Sequence, residues 1–191
     1  MTPSGYFHPG KRYGEHLNAG GTAVPWSGVF SKDWRVHRKY DYAVIFLQDR
    51  ESAVDLGWFG IQWWNDAASY NGKEIFLTGY PSSAQLCKES PFALQECSGY
   101  MYEDHDVLES ADYRSGGLDD EQLAHDTDSQ PGMSGSPLWR GSHQASLAVN
   151  WGSLGEPDRY FGARFRRSMH NDVCSWIAAV PSAHASHANC N

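Results

Sequence analysis

The segment Gly132-Met133-Ser134-Gly135-Ser136-Pro137 carries the most distinctive chemistry in the chain. A serine stands among glycines, and glycine takes backbone angles closed to other residues and allows close approach of other groups. Such a loop can expose a hydroxyl and aim backbone N–H groups at one point. The reaction this suits is acyl transfer. Ser134 would attack a carbonyl, and the N–H groups of Gly132 and Ser134 would stabilise the oxyanion that forms. The spacing is not Gly-x-Ser-x-Gly, because the residue two beyond Ser134 is Ser136. Pro137-Leu138-Trp139 also reads as a strand, whereas a hydrolase elbow opens a helix. A serine hydroxyl is a weak nucleophile until a base takes its proton and a carboxylate orients that base. Asp41 heads the apolar run Tyr42–Leu47. A carboxylate at the mouth of a buried strand is either turn chemistry or a positioned functional group.

The segment His125–Trp139 resembles the nucleophile loop of the chymotrypsin/trypsin-like serine endopeptidases. Within that family it is most similar to the bacterial glutamyl-endopeptidase branch, where Asp-Thr-Asp precedes Gly-x-Ser-Gly-Ser-Pro. Asp41-Tyr42-Ala43-Val44-Ile45 is similar to the strand start that carries the catalytic aspartate, so the resemblance implies that role for Asp41. Gly79-Tyr80-Pro81 falls between the two motifs, as it does in that branch. The resemblance runs roughly from Pro9 to Val180. It implies two antiparallel β-barrels of six-stranded type with the active site between them, the first incomplete here, and a C-terminal helix. The remainder of the first barrel is expected over residues 1–70, and the second barrel, with the nucleophile loop and the helix, over 71–191. The residues before the nucleophile, Asp128, Ser129 and Gln130, and the strand end Asn150, Trp151 and Gly152 are expected to bind substrate. Glutamate-specific members place a histidine immediately before Trp-Gly. This chain has Asn150 there, which puts a preference for Glu in doubt and, with Asp128, leans toward basic or unspecialised cleavage.

No histidine matches the family pattern, an apolar strand followed by Thr-Ala-x-His-Cys. His8 and His16 precede Asp41 without such a strand. Phe7-His8-Pro9-Gly10-Lys11 resembles a segment that follows the catalytic histidine in the family. His37 is too close to Asp41 on the same run to reach across it, and His125 falls on the wrong side in chain order. The base is therefore expected upstream of this chain, and the 191-residue chain by itself is expected to be inactive or nearly so. Recruitment of His8 is a further possibility. The competing reading is a catalytically inactive homologue that binds peptides or proteins in the same cleft.

Composition sets the elements that must position these groups. With 40% hydrophobic and 14% aromatic residues, the chain can bury a core. Its 19 glycines and scarce helical periodicity favour an all-β fold. Strands are expected at Tyr40–Leu47, Ile75–Pro81, Ser146–Gly152 and Tyr160–Phe165. A helix is expected near the end, with Met169, Val173, Trp176, Ile177 and Val180 on one face, Ser168 or Asn171 as its cap and Pro181 beyond it. The net charge of −8 resides between Met101 and Asp128, where ten acidic residues face Arg114 alone. That argues against a nucleic-acid partner and reads as a solvated loop. Four cysteines (Cys87, Cys97, Cys174 and Cys190) form no Cys-x-x-Cys motif. They suit a secreted protein with disulfides, Cys87–Cys97 and Cys174–Cys190 being the first choice of pairing. No apolar run reaches membrane-spanning length. The expectation is a secreted monomer acting on a protein or peptide substrate, with no membrane partner, metal or other cofactor.

Overall fold

A computed structural model describes residues 4–7, 11–12, 15–16, 24–32, 42–47, 59–81, 101–108, 122–142, 144–153 and 159–179. The fold is mostly antiparallel β-sheet, with one helix among the described residues. Strands β1 (Ser4–Phe7), β4 (Val24–Lys32) and β5 (Tyr42–Leu47) form a three-stranded sheet in the order β1-β4-β5. Between its first two strands lies a short hairpin, β2 (Lys11–Arg12) with β3 (Glu15–His16).

The larger sheet contains β6 (Gly60–Ile61), β7 (Glu74–Gly79), β8 (Tyr102–Val107), β9 (Gln122–His125), β10 (Pro137–Arg140), β11 (Ala145–Gly152) and β12 (Tyr160–Arg164). Six of these follow one antiparallel path, β8-β7-β10-β11-β12-β9, while β6 lies parallel to β11. The sheet curls into a half-barrel. Its two edge strands approach one another, since the backbone N–H of Asp128, three residues past β9, donates to Asp104 Oδ2 on β8 at 2.7 Å.

The strands follow from their side-chain patterns. In β7, Ile75 and Leu77 face inward while Glu74 is exposed, the alternation of a half-buried strand. Most of β11 is buried, as a central strand covered on both faces must be. The acidic segment differs from the solvated loop expected of it. Its start is the strand β8, paired along its length with β7, and its end is β9, buried throughout. Asp104 and Asp106 are half-buried, and pairing with β7 satisfies the backbone there despite the charge. Residues 109–121 lie outside the described residues.

The core gathers Tyr70, Ile75, Leu77, Leu108, Leu123, Met133, Leu138, Leu147 and Ala148. Tyr70 closes a short 3-10 turn and ties it to the sheet, its hydroxyl donating to the Phe165 carbonyl at 2.7 Å. Burial pushes the Tyr70 phenol above its ordinary pKa, so it remains a donor.

Helix α1 (Arg167–Ala178) buries Met169 and Val173. Its N-cap is Arg166, which makes no side-chain capping bond, so neither Ser168 nor Asn171 caps it; both lie within the helix. Packing of the apolar face, rather than a cap, holds this end. Val180 and Pro181 lie outside the described residues. The helix joins the two sheets through Tyr42. This residue is 8% exposed and packs with Ala163, Phe165 and Met169. Its ring meets Trp176 at 5.9 Å, and its hydroxyl donates to Asp172 Oδ2 at 2.6 Å. The residue directly after Asp41 is thus pinned to β12 and α1. Tyr42→Phe keeps the ring and removes a half-buried hydrogen bond to a carboxylate. Urea denaturation should show a loss of about 2 kcal/mol.

Candidate active site

The nucleophile loop turns on two glycines in the left-handed region, Gly132 at φ 96° and Gly135 at φ 89°. Between them the chain reverses its facing. Met133 is 0% exposed and sits in the core, whereas Ser134 is exposed. The loop is closed by backbone bonds from Met133 N to Gln130 O (3.0 Å) and from Ser136 N to Met133 O (3.1 Å). It is laced to β11 by Gly135 N to Asn150 O (2.7 Å) and Asn150 N to Ser136 O (2.9 Å). Among the described residues, the N–H groups of Gly132 and Ser134 donate to no backbone carbonyl. These are the two expected as oxyanion donors.

The Gly79-Tyr80-Pro81 turn has a steric role here. A side chain at Gly79 would run into Ser136 Oγ and crowd the Met133 methyl. A larger residue at position 79 would force Ser136 to turn its hydroxyl away.

Trp151 is the extra residue of a β-bulge. Asn150 pairs with Gly162 and Gly152 with Phe161, leaving Trp151 without a register partner on β12. Its carbonyl receives the Ser134 hydroxyl at 3.2 Å. Its indole N–H donates to Gln122 Oε1 at 2.5 Å, and its ring stacks on Phe161. Gly152 has φ 137°, and the space its missing side chain would enter is open. Asp128 is exposed with its N–H held by Asp104, Ser129 is buried, and Gln130 is half-buried.

Asn150 is buried behind the loop. It is 1% exposed, and its Nδ2 contacts Ser129 Oγ at 2.9 Å and Met133 O at 3.0 Å. A carbonyl only accepts, so the atom facing Met133 O is the amide nitrogen, and Oδ1 faces His125 Nε2 at 3.2 Å. That nitrogen must carry the proton. The Nδ1 atom of His125 is then an acceptor, and it receives the Thr127 hydroxyl at 2.5 Å. Both ring nitrogens are engaged, and the ring stacks on Tyr160. Sequence reading passed over this histidine as a brace. A signal was present in the alternation His125, Thr127, Ser129 (buried) against Asp126, Asp128 (exposed), a strand-like period with polar groups turned inward.

Asp41, His8 and His37 lie outside the described residues, as do Cys87, Cys97 and Cys190. The structure therefore describes the Gly132–Pro137 loop and β11, with Tyr42 at the start of β5 packed against β12 and α1.

No protein-family model matches the chain, and no curated protein matches it. Solved structures do. A Glu endopeptidase in complex with MPD superposes with a TM-score of 0.70 at 15% identity, covering 92% of this chain and 72% of that one. The protease Anisep from Arthrobacter nicotinovorans gives 0.54 at 18% identity, covering 83% and 68%. An M. tuberculosis protease in its active form gives 0.53 at 18% identity, covering 87% and 63%. The chain has the chymotrypsin-like serine-protease fold.

Burial lowers the pKa of His125 to about 4, and its bond to Asn150 and the nearby Asp106 and Asp104 carboxylates only partly offset this. The unfolded chain therefore takes up a proton on this ring below about pH 6.5, and the folded chain does so only near about pH 4. Stability present above pH ~6.5 is lost as pH falls through that window. Between about pH 7 and about pH 5 the loss from this ring should be about 2 kcal/mol. His125→Gln, which does not titrate, should remove that part of the pH dependence in urea denaturation.

Proposed function

We propose that the protein is a serine endopeptidase with Ser134 as nucleophile and the N–H groups of Gly132 and Ser134 as the oxyanion hole. Asp41 orients a histidine that lies outside the described residues. The observation that carries this reading is the reversal at Met133-Ser134, which anchors one side chain in the core and leaves the next hydroxyl exposed beside the Trp151 carbonyl. The likeness to a Glu endopeptidase and other proteases supports the reaction class. The substrate is a protein or peptide, with Asp128, Ser129 and Gln130 on one side of the bound chain and Trp151 and Gly152 on the other. Exposed Asp128, in an acidic neighbourhood with Asp104, favours basic side chains over acidic ones. Asn150 carries no charge to pair with a substrate carboxylate.

The protein acts as a secreted monomer, without membrane or nucleic-acid partners and without a cofactor. The even number of cysteines suits disulfides and an oxidising compartment.

A second reading is a non-catalytic homologue that binds peptides in the same cleft. It is favoured by the sequence, in which no histidine matches the family's Thr-Ala-x-His-Cys pattern.

Labelling with a fluorophosphonate separates the two. A serine endopeptidase should be labelled at Ser134, and Ser134→Ala should lose the label together with peptide hydrolysis. Peptide binding that survives Ser134→Ala, with no labelling of the parent protein, would favour the binding module.

A further inference from the structure

The Met133 carbonyl and the Ser134 N–H belong to the same peptide unit. A trans peptide is planar, so its C=O and N–H point in opposite directions. Whatever holds the Met133 oxygen inward therefore turns the Ser134 N–H outward. Two donors hold that oxygen, Ser136 N at 3.1 Å and Asn150 Nδ2 at 3.0 Å. The Asn150 amide is itself fixed on its other side by His125 Nε2–H, and the free Nδ1 of that ring accepts the Thr127 hydroxyl.

We propose that His125 is a positioning residue for the oxyanion hole. It acts through Asn150 to fix the Met133–Ser134 peptide plane, and so aims the Ser134 N–H at the developing oxyanion. The proposal rests on the reading of Ser134 as nucleophile only for its consequence in rate; the relay itself is a matter of geometry.

Three features make this more than ordinary packing. The relay is polar throughout and fully inside, with His125 3% and Asn150 1% exposed. Each link is directional, because the carbonyl at Met133 dictates the amide orientation, which dictates the protonated ring nitrogen, which dictates the hydroxyl donor. It also joins β9 to β11 and to the loop, so the three segments around Ser134 share one hydrogen-bond chain. A neutral relay suits this task, since it leaves no net charge buried beneath the oxyanion site.

The test uses His125→Leu, His125→Gln and the nearly isosteric Thr127→Val, each in the full chain. Crystal structures read the relay directly. The parent and His125→Gln should keep the Met133 carbonyl turned toward Asn150, whereas His125→Leu should show that peptide rotated or in two orientations. Kinetics on a peptide ester read its consequence. His125→Leu should lower kcat about 100-fold, the effect of losing one oxyanion donor, with KM nearly unchanged. His125→Gln should restore most of the rate, and Thr127→Val should fall between them. An unchanged peptide orientation in folded His125→Leu and in Thr127→Val would overturn the relay, whatever the activity. If a parent protein that contains the catalytic histidine hydrolyses no ester and is not labelled at Ser134, the peptidase reading fails by itself, while the crystallographic comparison still decides the relay.

Discussion

The exposed hydroxyl of Ser134 depends on the burial of its neighbour. A loop of glycines and serines has little to hold it, and each ordered residue costs about 1–2 kcal/mol of backbone entropy. Met133 offsets that cost locally. Its side chain lies wholly within the core with Leu138 and Leu147, a burial worth about 1.5–3 kcal/mol. The glycines on either side make this possible, because their positive φ angles let the chain drive one side chain inward and the next outward within a single turn. The other contacts of the loop reinforce the same point. β11 stitches it from one side, and Gly79 leaves room for Ser136 on the other.

From that anchor the rest of the site follows by contact. The larger sheet curls until the residues after β9 reach β8, which brings Asp128 to the rim beside Asp104. The bulge at Trp151 interrupts pairing with β12 and leaves a carbonyl facing Ser134. The smaller sheet reaches this assembly through Tyr42, held by Trp176 and Asp172 of the helix. The helix thus acts as a clamp between the strand that follows Asp41 and the sheet that carries Ser134.

Much of this was legible in the residues. The Gly-Met-Ser-Gly loop, the apolar run after Asp41 and the alternation in β7 are local patterns, and each reports its own structure. The acidic segment carries no apolar alternation that marks a strand, since the half-buried positions of β8 are Tyr102, Asp104 and Asp106 while Val107 is exposed; pairing with β7 satisfies the backbone whatever the side chains carry. The cap of α1 was misread because packing substitutes for capping when an apolar face is buried. The roles of His125, Asn150 and Gly79 were hidden for a different reason. They arise from contacts between segments far apart in sequence, and no local spacing encodes which carbonyl an asparagine will meet. The place of Asn150 before Trp-Gly says nothing of the bonds its amide makes to Ser129 and Met133 behind the loop.

The central claim is that Ser134 forms the bond to substrate and that the N–H groups of Gly132 and Ser134 receive the oxyanion. A crystal structure with a peptide boronic acid tests this most directly, because boron bonded to a serine oxygen mimics the tetrahedral intermediate. The account predicts a covalent bond from Ser134 Oγ to boron, with one boronate oxygen about 3 Å from both N–H groups. A boronate bonded to another residue, or bound at Ser134 with its oxygen turned away from Gly132 N, would contradict it.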